Sequence, residues 1–211
     1  MTILALEFSS FHRTVAVIRP GFDPVEERWN ETGTPVFTLI SGALEAAGVE
    51  RSAIDCVAVG VGPGSYTGIR NAISTAQGWS LARGTEIRVL NSFRVMAWTE
   101  RHKARTLLAA DAQRGECACA WAEEGRLLEP MTLMSHEKLR FFASSGLRVA
   151  GPGIRALVGA GEDLFPSAST LAEMIGSHGV VAAPETLAPI YLREAAFAKA
   201  PAPRELPIGI V

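Results

Sequence analysis

This chain lacks the residues from which a disulfide framework or a metal cluster is built. Its 211 residues include only three cysteines and four histidines. Three is an odd number, and Cys117-x-Cys119 has the spacing of neighbours on one strand face, not that of a CxxC redox or zinc pair. Reduced, buried cysteines of a cytoplasmic protein are expected. His12, His102, His136 and His178 lie far apart, so no two share a helix face as i, i+4 metal ligands do. No apolar run approaches the length of about 20 residues that spans a bilayer. Met1-Thr2 runs straight into Ile3-Leu4-Ala5-Leu6 without a basic segment or cleavage site, so no signal peptide is expected. Excess charge is missing too. A net charge of −2 and a pI near 6.1 argue against a dominant nucleic-acid or anionic-membrane surface. The densest basic cluster, Arg101-His102-Lys103-Ala104-Arg105, reads as the solvated end of a helix.

What the chain does hold is apolar material, 48% of its residues, enough for one large domain or two small lobes. Its most distinctive stretch is Val59 to Arg70, in which the apolar run Asp55–Gly60 feeds into Gly62-Pro63-Gly64-Ser65-Tyr66-Thr67-Gly68. A strand that delivers a glycine-rich loop onto a helix is where many folds hold phosphate. Here the loop has neither a lysine nor a Gly-Lys-Ser/Thr ending, so it is no P-loop. The Rossmann glycine spacing fails as well. Gly62, Gly64 and Ser65 are the weak cofactor-binding candidates that remain, and Gly151-Pro152-Gly153 is the only second glycine motif.

Hydrophobic periodicity and turn residues give the element order. Strands are expected over Thr2–Phe8, Arg13–Arg19, Val25–Glu31, Asp55–Gly60 and Glu86–Leu90. Helices are expected over Pro35–Ala47 with Thr34 as cap, Ile69–Arg83, and Ser92–Arg101 with Ser92 as cap. The second half repeats the order loosely: strands Arg105–Ala110, Glu116–Ala122 and Leu127–Leu133, helix His136–Ser144 and strand Leu147–Ala150. Three meandering strands followed by alternating helix and strand, seen twice, imply two α/β lobes around a cleft. The expected division is 1–104, 105–198 and a proline-rich tail, 199–211.

Three segments together resemble the TsaB family: the opening ILALEFSS; GPGSYTGIR with its helix AQGWSLARG; and the turn DAQRGE with a late PIYLRE, ending at Glu194. That family is the small, catalytically degenerate partner in bacterial threonylcarbamoyl-adenosine modification of tRNA. The resemblance implies an α/β fold of two actin-like, ribonuclease H-like lobes, the second reduced. It implies a scaffold or activator without cofactor, docked on a TsaD-like catalytic subunit that modifies adenosine beside the anticodon. A TsaE-like ATPase joins the assembled complex, and a second copy of the chain is an alternative partner. Direct contact with tRNA is not expected. One position departs from the pattern: Glu7-Phe8-Ser9-Ser10 stands where members commonly carry aspartate followed by Thr/Ser residues.

An enzyme acting alone, an ATPase or kinase of the same fold, is the competing reading. Ser65 lies outside any Gly-x-Ser-x-Gly elbow, so Ser65 and Thr67 read as helix caps. Glu7 and Asp111 read as a strand-end acid and a turn former, with a carboxylate pair across the cleft as the alternative. The unusual feature lies in two helices. In Pro35–Ala47 the only charge is Glu45, with Val36, Leu39, Ile40 and Ala43 in one stripe and Phe37 and Leu44 pointing elsewhere. In Ile69–Arg83 one stripe is Ile69, Ala72, Ile73, Ala76 and Ser80, and Asn71, Ser74, Thr75, Gly78 and Ala82 form the adjoining small-residue face. The resemblance implies that Phe37, Ile40, Leu44, Asn71, Ser74, Thr75, Gly78 and Ala82 form the partner interface.

Overall fold

The computed structural model describes residues 1–29 and 35–192. The expected Thr34 cap, the strand end at Glu31, the last residues of the late motif at Arg193 and Glu194, and the tail lie outside these. β1 (Ile3–Glu7), β2 (Arg13–Ile18) and β3 (Val25–Trp29) form an antiparallel meander. α1 (Val36–Ala47) leads to β4 (Cys56–Gly60), and α2 (Tyr66–Arg83) leads to β5 (Glu86–Leu90); both strands run parallel to β1. β1 is apolar without interruption up to Glu7 because both its faces are covered. Leu4 and Leu6 join the layer of α1 and α2, while Ile3 and Ala5 join the opposite layer.

The second sheet repeats the plan. β6 (Thr106–Asp111), β7 (Glu116–Glu123) and β8 (Arg126–Ser135) meander, then α4 (His136–Ser144), β9 (Val149–Gly151), α5 (Ile154–Val158) and β10 (Glu162–Asp163) follow. Its strand order, β10-β9-β6-β7-β8, is that of β5-β4-β1-β2-β3 in the first. The fold is therefore α/β with two actin-like lobes. The second is the smaller, with two residues in β10 and five in α5.

α3 (Ser92–Thr99) is the joint between them. Val95 packs in the core of the first sheet, whereas Phe93, Met96 and Ala97 pack against Leu108, Ala118 and Ala120 of the second. Its cap is Asn91, not Ser92: the Asn91 side chain accepts from the Phe93 N–H at 2.8 Å. Ser92 is turned inward to the glycine loop instead. α2 begins before the expected Ile69, because the Ser65 side chain accepts from Gly68 N–H and starts the helix at Tyr66. Thr67 consequently lies inside the helix and caps nothing.

Lobe membership and sequence order part after β10. α6 (Ala168–His178) returns to the first sheet, where Ala168 N–H donates to Thr14 Oγ1 at 2.8 Å. β11 (Val180–Val181) then pairs antiparallel with β5 as the outer strand. Beyond it the chain runs over α2, with Gln77 donating to the Pro184 carbonyl at 2.6 Å, and reaches the cleft as Ile190 N–H bonds Val61 C=O.

Candidate functional site

Two features of the first lobe carry the candidate residues: the cleft at the end of β1 and β4, and the outer face of α1 and α2. The cleft has a volume of about 610 Å³ and opens between Phe11, Ser65 and Tyr66 on one side and Asp111 and Gln113 on the other. Gly64 and Ser65 border it. Gly62 does not line it: Gly62 N–H donates to Ser92 Oγ at 3.1 Å, and its carbonyl accepts from Ser92 N–H at 2.9 Å.

The loop is glycine-rich because backbone presses on backbone. Ser65 N–H donates to the Ser9 carbonyl at 2.7 Å. A Cβ on Gly64 would stand 2.0 Å from Ser9 O, and one on Gly68 would stand 2.0 Å from Phe8 O. Gly64 also has φ +146, a conformation that L side chains resist. The amides of Gly62, Ser65 and Gly68 are thus already bonded within the chain. The second motif is likewise an approach of backbones, since a Cβ on Gly151 would lie 1.7 Å from Ala109 O.

Glu7 is wholly buried beneath this loop. Its Oε1 accepts from Ser9 N–H and its Oε2 from Ser92 Oγ–H, both at 2.9 Å. The longer acid fits because the neighbouring strand has no side chain there: a Cβ on Gly60 would come 1.9 Å from Glu7 Oε2. Burial pushes the Glu7 carboxyl above the usual carboxylate range, against the bonds from Ser9 and Ser92, which pull it down. Asp111, by contrast, borders the cleft and uses Oδ1 to accept from Gln113 N–H at 2.7 Å, a turn former's role. With Glu7 sealed, the two carboxyls do not face each other across the cleft. Among the described residues no group of three His, Cys, Asp or Glu is placed to hold a metal ion. Cys117 and Cys119 are buried, and desolvation holds both thiols up near 12.

On the helical face, the structure divides the expected interface in two. Ile40 and Leu44 are buried in the core of the first lobe, together with Leu39 and Ala43. They are corrected to core residues: positions 40 and 44 are one turn apart and share the inner face, so Leu44 does not point away from Ile40. Phe37 is 60% exposed, and Asn71, Ser74, Gly78 and Ala82 are exposed, with Thr75 half-buried. Of the expected inner stripe of α2, Ile69, Ala72, Ile73 and Ala76 are buried, while Trp79 replaces Ser80. Leu81, not foreseen, is 90% exposed beside them. The signal was available, for Leu81 has no place in the inner stripe. A groove of about 390 Å³ runs between Phe37 and the small residues Ser74, Thr75, Gly78 and Ala82.

Two outcomes follow. Gly64→Val forces the Ser9 carbonyl aside and should cost about 3 kcal/mol or more of folding stability, read from chemical denaturation; undiminished stability would contradict the backbone account. Glu7 should give stability below its ordinary value of 4.5 that is lost as pH rises toward its elevated folded value. Glu7→Gln lacks this titration. The stability of the natural chain relative to Glu7→Gln should therefore be greatest near pH 4 and decline above it; a gap independent of pH would contradict it.

A family model described as TsaD, tRNA N6-adenosine threonylcarbamoyltransferase, matches residues 35–190. The tRNA threonylcarbamoyladenosine biosynthesis protein TsaB of Escherichia coli (strain K12) is 29% identical over 189 residues, covering 75% of this chain and 79% of that protein. TsaB of Haemophilus influenzae is 31% identical over 121 residues, 55% of this chain and 51% of that protein. A solved Pseudomonas aeruginosa protein, described as similar to peptidase YeaZ, is 25% identical with TM-score 0.73, and the match covers 91% of this chain and 99% of that one. YeaZ of Pseudomonas aeruginosa, 24% identical with TM-score 0.72 over 90% of this chain and 99% of its own, shares the fold. The chain belongs to the TsaD family, and its resemblance within that family is to TsaB.

Proposed function

We propose that this chain serves tRNA threonylcarbamoyladenosine formation as a non-catalytic subunit, docking a TsaD-like catalytic subunit on the outer face of α1 and α2. The observation that carries this reading is Gly78. Glycine inside a helix costs about 1 kcal/mol relative to alanine. Yet among the described residues no atom outside its own helix backbone lies within 4 Å of a Cβ built at Gly78, so their packing gives no reason for it. A close approach by a second molecule does. Phe37 of α1, which lines the groove beside Ser74 and Gly78, and Leu81 of α2 are large apolar side chains left in water.

In this reading the docking lobe comprises residues 1–104 with the returning segment 168–192, and the second lobe stays free of the helical contact. A TsaE-like ATPase joins the assembled complex, the chain self-associates through the same face when alone, and the setting is the cytoplasm, where tRNA is modified. The second reading, an ATPase or kinase acting alone, draws on the cleft and on Gly64 and Ser65 at its border. Against it stand the sealed Glu7 and the absence of a lysine from the loop.

Gly78→Arg should abolish co-purification with the catalytic subunit and the tRNA modification that depends on it. Because the position opens to solvent and arginine is the better helix former, the isolated variant should fold at least as stably as the natural chain. An intact complex would place the docking surface elsewhere. ATP turnover by the pure chain should stay far below the roughly 1 per second at the low end of enzymes. Turnover at that rate, lost in Glu7→Gln, would restore the enzyme reading.

A further inference from the structure

The cleft between the lobes combines an aromatic rim with two opposite charges. Phe11, Tyr66 and Tyr191 line it, each about half exposed, with the Tyr66 and Tyr191 rings 5.8 Å apart. Rings presented in this way are what proline-rich segments stack on in aromatic-lined grooves. Arg13 of the first lobe and Asp111 of the second line the same cleft. Asp111 spends one oxygen on the Gln113 N–H, and neither Arg13 nor Asp111 takes part in an ion pair among the described residues.

The chain delivers a segment of its own to this place. Residues 189–192 form part of the cleft wall, and Leu192 is the last described residue before 193–211. That stretch holds Pro201, Pro203 and Pro207, with Arg204, Glu205 and Leu206 between the last two. Proline fixes its own φ near about −65° and biases the residue before it toward extended backbone, so less conformational entropy is lost on docking. Adjacent side chains of an extended segment point to opposite sides. Arg204 and Glu205 therefore suit Asp111 and Arg13, which come from opposite walls. The residues 193–202 that join Leu192 to Pro203 span roughly 33 Å when extended, enough to turn back.

We infer that residues 203–207 dock in the cleft of their own chain, with Pro203 and Pro207 against the aromatic rim, Arg204 on Asp111 and Glu205 on Arg13. The tether is what makes the occupant intramolecular. A short flexible link holds its end at an effective concentration on the order of millimolar, so even a weak contact is populated ahead of a segment from another chain. A volume of about 610 Å³ takes a few side chains and no folded partner. The inference stands apart from the docking face on α1 and α2. A cleft filled in this way is closed to small ligands by the chain itself.

Nuclear magnetic relaxation of the full chain tests it. Backbone order parameters of Arg204, Glu205 and Leu206 should lie near about 0.85, the value of rigid backbone, whereas an undocked segment gives values below about 0.6. Nuclear Overhauser contacts should join the Pro203 or Pro207 ring to Tyr66 or Tyr191. Exchanging the two charges, Arg204→Glu with Glu205→Arg, keeps every proline and should drop the order parameters below about 0.6. Asp111→Asn retains the oxygen that accepts from Gln113 N–H, and should lower them as well; so should raising salt from about 50 to about 500 mM. Values below about 0.6 in the natural chain would overturn the docking. Rigid values that neither the exchange nor Asp111→Asn moves would place the segment elsewhere and overturn it too. Order that is lost on dilution would assign the cleft to the segment of a second copy. Cleft resonances that shift with added ATP beside a segment without order would assign it to a nucleotide. Either result overturns the inference and leaves the docking face on α1 and α2 untouched.

Discussion

Much of the first lobe hangs on one contact, the backbone of the glycine loop laid on the backbone that leaves β1. Ser65 N–H bonds the Ser9 carbonyl, and Gly64 and Gly68 keep Cβ atoms out of a space already filled by the carbonyls of Ser9 and Phe8. That contact fixes where α2 starts, and so which residues of α2 turn inward. With Ser65 as cap, Ile69, Ala72, Ile73, Ala76 and Trp79 fall on the sheet, leaving Ser74, Gly78 and Ala82 outside. The loop also closes over Glu7, whose two oxygens are taken by Ser9 and Ser92. A loop with the outline of a phosphate cradle thus serves as a clamp, and the helix it launches carries the exposed face.

Glu7 shows how a longer acid is absorbed at the end of the first strand. The extra methylene would need room, and Gly60 on the adjoining strand provides it. Ser92, at the start of α3, donates to the carboxylate while accepting from the loop. The same short helix packs Phe93 and Met96 on the second sheet. The buried acid, the glycine loop and the joint between the lobes are therefore one hydrogen-bonded unit, and a buried carboxyl stripped of these partners would be costly.

Much of this was legible in the residues. The meander of β1, β2 and β3, the alternation that follows it and the repetition in the second half come from apolar periods and from Gly and Pro punctuation, which act over a few residues. The capping by Ser65 and the turn at Asp111 are local as well. What the sequence hid was long-range. Nothing local to Ala168–His178 says that it returns to the first sheet, since Thr14, which accepts its first N–H, is a distant position. Ile40 and Leu44 looked available to a partner because α1 is apolar around most of its circumference; only the packed sheet decides which side is covered. The Asn91 cap was displaced from the expected Ser92 by the latter's tertiary bond to Glu7.

The central claim is that the outer face of α1 and α2, and not the cleft, meets the catalytic subunit. Hydroxyl-radical footprinting of the chain alone and in the assembled complex addresses it directly, since Phe37 and Leu81 are exposed on the helices and Phe11 and Tyr191 at the cleft. The account predicts that Phe37 and Leu81 lose most of their labelling on assembly while Phe11 and Tyr191 keep theirs. Protection of Phe11 and Tyr191 with Phe37 and Leu81 still labelled would contradict it.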